Sequence, residues 1–208
     1  MSKSRENIKR IYIFIAKCLT LSVSEKNTFF VEKILKSQSL DWDYFIKIGS
    51  KHLILPSLYF NLERASMLKY VNDEVATYLK YVAEINQNRN KEVLRQINEI
   101  NSLFIDNEIK PIFFKGSSYL IYNLFNNIGE RMIGDIDLIV SEDDCKKAFD
   151  LLIQNDYEKL NPKIENFPGH RHLPRLIKKN RIAAVEIHNQ ITLDKYSEYL
   201  NYNVLIES

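Results

Sequence analysis

The chain has 208 residues, room for one large domain or two small ones. Hydrophobic residues make up 45% and charged residues 27%, a balance that excludes a disordered chain. The 29 Lys and Arg against 27 Asp and Glu leave a net charge of +2, which argues against wholesale polyanion binding.

Cys18 and Cys145 fit neither a disulfide framework nor a zinc pattern, so a reducing cytoplasm is the expected compartment. In the first segment Ile8, Ile11, Ile15 and Leu19 recur at helical spacing. Lys17 interrupts the apolar run and no clean cleavage site follows, so this segment reads as a core helix and not as a leader. No other apolar run approaches the length of a membrane span, and no membrane partner is expected. Ser22–Lys26 offers a break, and helical spacing returns over Thr28–Ser37, Asp41–Gly49 and His52–Glu63, the last around Pro56. From Asn72 to Asn107 no Gly or Pro occurs, and the spacing predicts one long amphipathic helix with a break within Asn86–Lys91.

The pattern changes after Glu108. Ile109–Lys115 reads as a strand ended by Gly116, with Ser117 and Ser118 capping a helix over Tyr119–Phe125. Asp135–Val140 is a second strand, a helix begins near Ser141–Asp144, and Ala183–Ile187 is a third strand. A loop containing Pro162, Pro168, Gly169 and Pro174 lies between them, and the Tyr-rich tail reads as helical. Strands alternating with helices behind a helical front indicate an α+β or α/β unit.

Asp135-Ile136-Asp137-Leu138-Ile139-Val140 carries the chemistry. Alternation on a strand puts Asp135 and Asp137 on one face and Ile136, Leu138 and Val140 on the other. At roughly 4 Å and an effective dielectric near 20, a like-charge pair costs about 4 kcal/mol, which a divalent cation would remove. Hard oxygen ligands suit magnesium. Taken alone, an Asp-x-Asp also fits two solvated carboxylates. Glu186 interrupts a second apolar strand; beside the first it would make a three-carboxylate site able to hold two ions, and elsewhere it is a lone exposed glutamate. Lys115-Gly116-Ser117-Ser118 offers a close backbone approach, helix-start N–H groups and a point charge for phosphate, and equally fits an ordinary cap. The spacing excludes a P-loop.

These residues resemble the uncharacterised bacterial nucleotidyltransferase family of the polymerase-β-like superfamily. The resemblance runs from about Ile46 to His188: His52 to Tyr59, Phe114-Lys115-Gly116-Ser117, Arg131 ahead of Asp135-Ile136-Asp137-Leu138, and Val185-Glu186-Ile187-His188. It implies an α+β fold, with a helical N-terminal region over residues 1–108 packed on a small mixed-sheet nucleotidyltransferase core over 109–208. It assigns catalysis and metal binding to Asp135, Asp137 and Glu186, and phosphate cradling to Gly116 and Ser117, with Lys115 and Arg131 as further nucleotide-binding candidates. The cofactor implied is a pair of Mg²⁺ ions, with Mn²⁺ as a substitute, and the substrate an NTP such as ATP. A nucleoside monophosphate would pass to a hydroxyl of a protein, an RNA or a small molecule, with pyrophosphate released. Two departures stand out: a long gap from Gly116 to Asp135, and a chain that runs only a short way past Glu186, where relatives continue into further helices.

Arg131 fits a phosphate contact or an ion-pair partner of the acids, and His188 a site member or a structural histidine. His170, Arg171, His172, Arg175, Lys178, Lys179 and Arg181 form a basic run, for a triphosphate, an RNA end or solvent. A non-catalytic nucleotide-binding or protein-interaction module that keeps the fold is the competing reading.

Overall fold

The computed structural model describes residues 3–161, 171–192 and 194–207. Two compact units result: residues 1–88 with 125–132, and residues 89–124 with 133–208. The division falls inside one helix, α5 (Asp73–Ile105).

The first unit contains α1 (Lys3–Leu19), α2 (Glu25–Lys36), α3 (Trp42–Lys51), α4 (Leu55–Arg64) and the start of α5. Asp41 caps α3 by accepting the Tyr44 N–H at 3.2 Å, and Pro56 sits in the first turn of α4, where a missing N–H costs nothing. Ile11, Phe14, Val31, Leu35, Phe45, Leu58, Leu62 and Leu79 form the core. Burying each such side chain stabilises the unit by about 1.5–3 kcal/mol. Residues 125–132 are tied in by Arg64, whose guanidinium donates to both oxygens of the buried Glu130 at 2.6 and 3.2 Å.

α5 is continuous where the polar stretch Asn86–Lys91 predicts a break. Asn86 and Asn90 take the buried positions of the stripe Leu79–Ala83–Asn86–Asn90–Val93–Ile97–Ile100–Phe104. Asn86 Nδ2 donates to the carbonyls of Gly129 and Arg131 at 2.7 and 3.1 Å, so the polar residues serve tertiary contacts and the helix continues through them.

The second unit holds the end of α5, a sheet and three shorter helices: α6 (Gly116–Ile121), α7 (Cys145–Gln154) and α8 (Tyr202–Ile206). The strands are β1 (Ile112–Phe113), β2 (Asp135–Ile139), β3 (Tyr157–Lys159), β4 (Leu176–Lys178) and β5 (Ala184–His188), in the order β1-β2-β5-β4-β3. Only β2 and β5 are parallel; the other neighbours are antiparallel. Ile136, Leu138, Val185 and Ile187 are buried with Ala148, Leu152 and Leu176. Gln96 of α5, fully buried, donates to the Ala183 carbonyl at 2.9 Å and accepts the Ala183 N–H at 3.2 Å, extending the pairing of β5 by one residue.

The architecture is α+β with a mixed sheet, as expected, but details differ. The helix after Lys115 spans Gly116–Ile121 and stops before Asn123, whose φ is 49°, rather than reaching Phe125. Ser117 and Ser118 lie inside it rather than capping it. β1 shrinks to two residues. β3 and β4 were not predicted: each has three residues with charged neighbours, too short to show alternation, and β3 is an edge. Pro162, Pro168, Gly169 and His170 lie outside the described residues. No helix of the described residues is long and apolar enough to cross a membrane.

Candidate active site

Register brings the acids together. In the parallel pair β2–β5, Asp135 lies opposite Ala184, Asp137 opposite Glu186 and Ile139 opposite His188. Residues opposite one another share a face, so alternation puts Asp135, Asp137, Glu186 and His188 on one side of the sheet. Asp137, Glu186 and His188 are buried, and one ligand atom from each lies within 4.8 Å of the others.

Cations sit against each acid. Lys115 Nζ donates to Asp137 Oδ1 at 2.5 Å, and His188 Nε2 lies 2.9 Å from the same oxygen. His188 Nε2 is also 3.6 Å from Glu186 Oε2. Arg175 reaches two strands: Nη2 donates to Asp135 Oδ2 at 2.9 Å and to Glu186 Oε1 at 2.6 Å, and Nε donates to Glu186 Oε1 at 2.9 Å. The segment before β4 explains its aim. Leu173 N–H donates to the Ile187 carbonyl at 2.8 Å and Leu176 pairs with Val185, so this stretch runs along β5. Leu176 is in the core, which leaves Arg175 on the opposite face with Glu186.

The turn after β1 aims Lys115. Its φ of 53° and ψ of −128° match the first central position of a turn type dominated by glycine, a placement costing a side-chain-bearing residue on the order of 1–3 kcal/mol. Gly116 packs closely on the core: a Cβ there would lie 3.0 Å from Ile133 Cδ1, which would have to shift by a few tenths of an ångström. Ser117 is fully buried, and its hydroxyl accepts the Asp137 N–H at 3.1 Å, tying α6 to β2. The side chains of Phe114 and His188 meet edge to face at 4.8 Å.

These contacts set the protonation states. His188, 3.6 Å from Glu186 Oε2, and the Arg175 guanidinium bonded to Oε1 outweigh burial and hold the Glu186 carboxyl down at about 2. Burial pulls the His188 imidazole down, but its hydrogen bond to Asp137 and the nearby Glu186 carboxylate prevail and raise it. Burial raises the Asp135 carboxyl, opposed by Arg175. Arg89 of α5 donates to the Gly134 carbonyl at 3.3 Å and adds a favourable charge near Asp135.

The family described as "Uncharacterised nucleotidyltransferase" matches residues 38–207, which contain every residue of this cluster. The chain belongs to this nucleotidyltransferase family. No curated protein and no solved structure matches it. The family match begins before α3 and continues through α8, further in both directions than the motifs alone.

Of the residues read from the sequence, Lys115, Asp135, Asp137, Glu186 and His188 gather on the sheet. Gly116 and Ser117 open the adjoining helix α6, and the buried Ser117 hydroxyl accepts the Asp137 N–H. Arg131 belongs to the first unit, where its carbonyl accepts from Asn86. The basic run is dispersed: Arg181 pairs with Glu99 through two donors at 2.8 and 2.9 Å, and Lys178 donates to the Asn155 carbonyl at 2.8 Å. Arg175 was visible only as one cation among seven. Its role depends on pairing with β5, and the alternation Arg175–Leu176 was too short a signal to reveal it.

Two buried carboxylates and an imidazole, with Asp135 alongside, make a donor set that could hold a divalent ion.

Proposed function

We propose that this nucleotidyltransferase uses Mg²⁺ or Mn²⁺ to move a nucleoside monophosphate from an NTP to an acceptor hydroxyl, releasing pyrophosphate. One observation carries the reading: Asp137 lies opposite Glu186 on adjacent parallel strands, with Asp135 and His188 on the same face. Asp135, Asp137 and Glu186 would hold the metal, with His188 as a further donor. When bound, the metal supplies Lewis-acid stabilisation of charge on the phosphoryl oxygens and lowers the pKa of the acceptor hydroxyl.

The chain's own residues do the rest by position and charge. Lys115 places a point charge beside Asp137, where it can neutralise the triphosphate. Gly116 and Ser117 hold the turn that aims it. Glu186, held at about 2, stays ionised and is a weak proton acceptor, so its contribution is negative charge for the ion rather than general-base catalysis.

The test uses the full chain with each labelled NTP, Mg²⁺ or Mn²⁺ and a cell lysate as acceptor source, comparing wild type with D137N. Label transfer and pyrophosphate release by wild type, lost at least about a hundredfold in a D137N protein with an unchanged circular dichroism spectrum, is the expected result. Equal transfer by both proteins, or nucleotide binding with no pyrophosphate across all acceptors, overturns the reading; the latter favours a non-catalytic nucleotide-binding module.

A further inference from the structure

The candidate metal site already contains cations of its own. The Arg175 guanidinium lies between Asp135 and Glu186, bonded to one at 2.9 Å and to the other at 2.6 Å. Lys115 holds Asp137. Three carboxylates thus face two permanent cations, and a divalent ion approaching them meets ligands that are largely neutralised. The cations lie on the outside: the Arg175 side chain is 40% exposed, against 10% for Glu186. A long side chain hinged at the start of β4 can swing its head outward without disturbing the strand. A nucleoside triphosphate brings several negative charges, and guanidinium groups bind phosphate oxygens in the same two-pronged manner as carboxylates.

We propose that Arg175 is a latch on the metal-binding carboxylates, holding Asp135 and Glu186 until a triphosphate draws its guanidinium away, so that metal loads with the nucleotide and not ahead of it. This rests on the metal-dependent reading above. The latch makes metal and nucleotide affinities interdependent, because the same guanidinium opposes the first and assists the second. Arg175 is accordingly a positioning residue for the free site and a phosphate ligand once the nucleotide arrives.

Two readouts test the latch without turnover. In the first, free Mn²⁺ is followed by electron paramagnetic resonance as it is titrated into wild type, R175Q, R175K and D137N, with no nucleotide present. R175Q is expected to bind Mn²⁺ about tenfold tighter than wild type. R175K keeps the charge but cannot span both carboxylates, and gives a smaller gain in the same direction; it carries the comparison if R175Q fails to fold. In the second, a fluorescent ATP is titrated in EDTA, where R175Q is expected to bind about tenfold more weakly than wild type and R175K less weakly than R175Q. Mn²⁺ binding that D137N abolishes but both Arg175 variants leave at the wild-type level overturns the latch and leaves the metal site standing. Unchanged nucleotide affinity in EDTA also overturns it. Absence of Mn²⁺ binding in all four proteins, R175Q included, overturns the latch, because freeing the carboxylates then exposes no ion site, while the metal reading stays with the transfer assay above.

Discussion

Glu186 ties the charge cluster to acid stability, and E186Q isolates the effect. Its carboxyl falls from an ordinary value of 4.5 to about 2 in the folded chain, held there by His188 and then Arg175. A group whose folded pKa is depressed contributes stability above its unfolded pKa and loses it as pH falls through the folded value. The shift of roughly 2.5 units, at about 1.4 kcal/mol each, gives about 3.5 kcal/mol at neutral pH, which solvent screening trims to about 3. The contribution is complete above about pH 5 and gone near pH 2. Urea denaturation in EDTA, followed by circular dichroism at a series of pH values, reads it directly. Wild type is expected to exceed E186Q by up to about 3 kcal/mol at pH 7, with the gap closing as pH falls from 5 towards 2. A gap independent of pH would refute the reasoning, since it would show that the glutamine costs packing and not charge.

Two more predictions concern the elements that build the site. K115G removes the side chain from a position at φ 53°, so it should be about 1 kcal/mol more stable than K115A, measured by urea denaturation, while both lose nucleotide affinity in a filter-binding assay. Q96A strips two hydrogen bonds from Ala183 at the start of β5 and should cost about 2–4 kcal/mol, with faster amide exchange at Ala183 and Ala184.

Local chemistry was legible wherever a residue's partner lay within a few positions in sequence. The helices around Phe14, Phe45 and Leu58 follow from apolar spacing, and Asp41 and Pro56 announce their starts. The central strands β2 and β5 follow from apolar runs interrupted by acids, and a carboxylate placed in such a run costs enough to mark Asp135, Asp137 and Glu186 as functional candidates. Polarity misled within α5, because the periodicity of Asn86 and Asn90 says nothing of the carbonyls that Asn86 serves forty residues away. That the buried Ser117 hydroxyl accepts the Asp137 N–H was likewise not legible, because the two meet only in the folded chain.

By itself, then, the amino-acid order determined which segments become helices and central strands, and which acids stand out against an apolar background. Only the tertiary structure decided that β2 and β5 run parallel with Asp137 opposite Glu186, and that Arg175, from a charged stretch without pattern, closes over the acids. The reason is physical: periodicity records which face of an element is buried, whereas strand register and ion pairing depend on where distant segments meet.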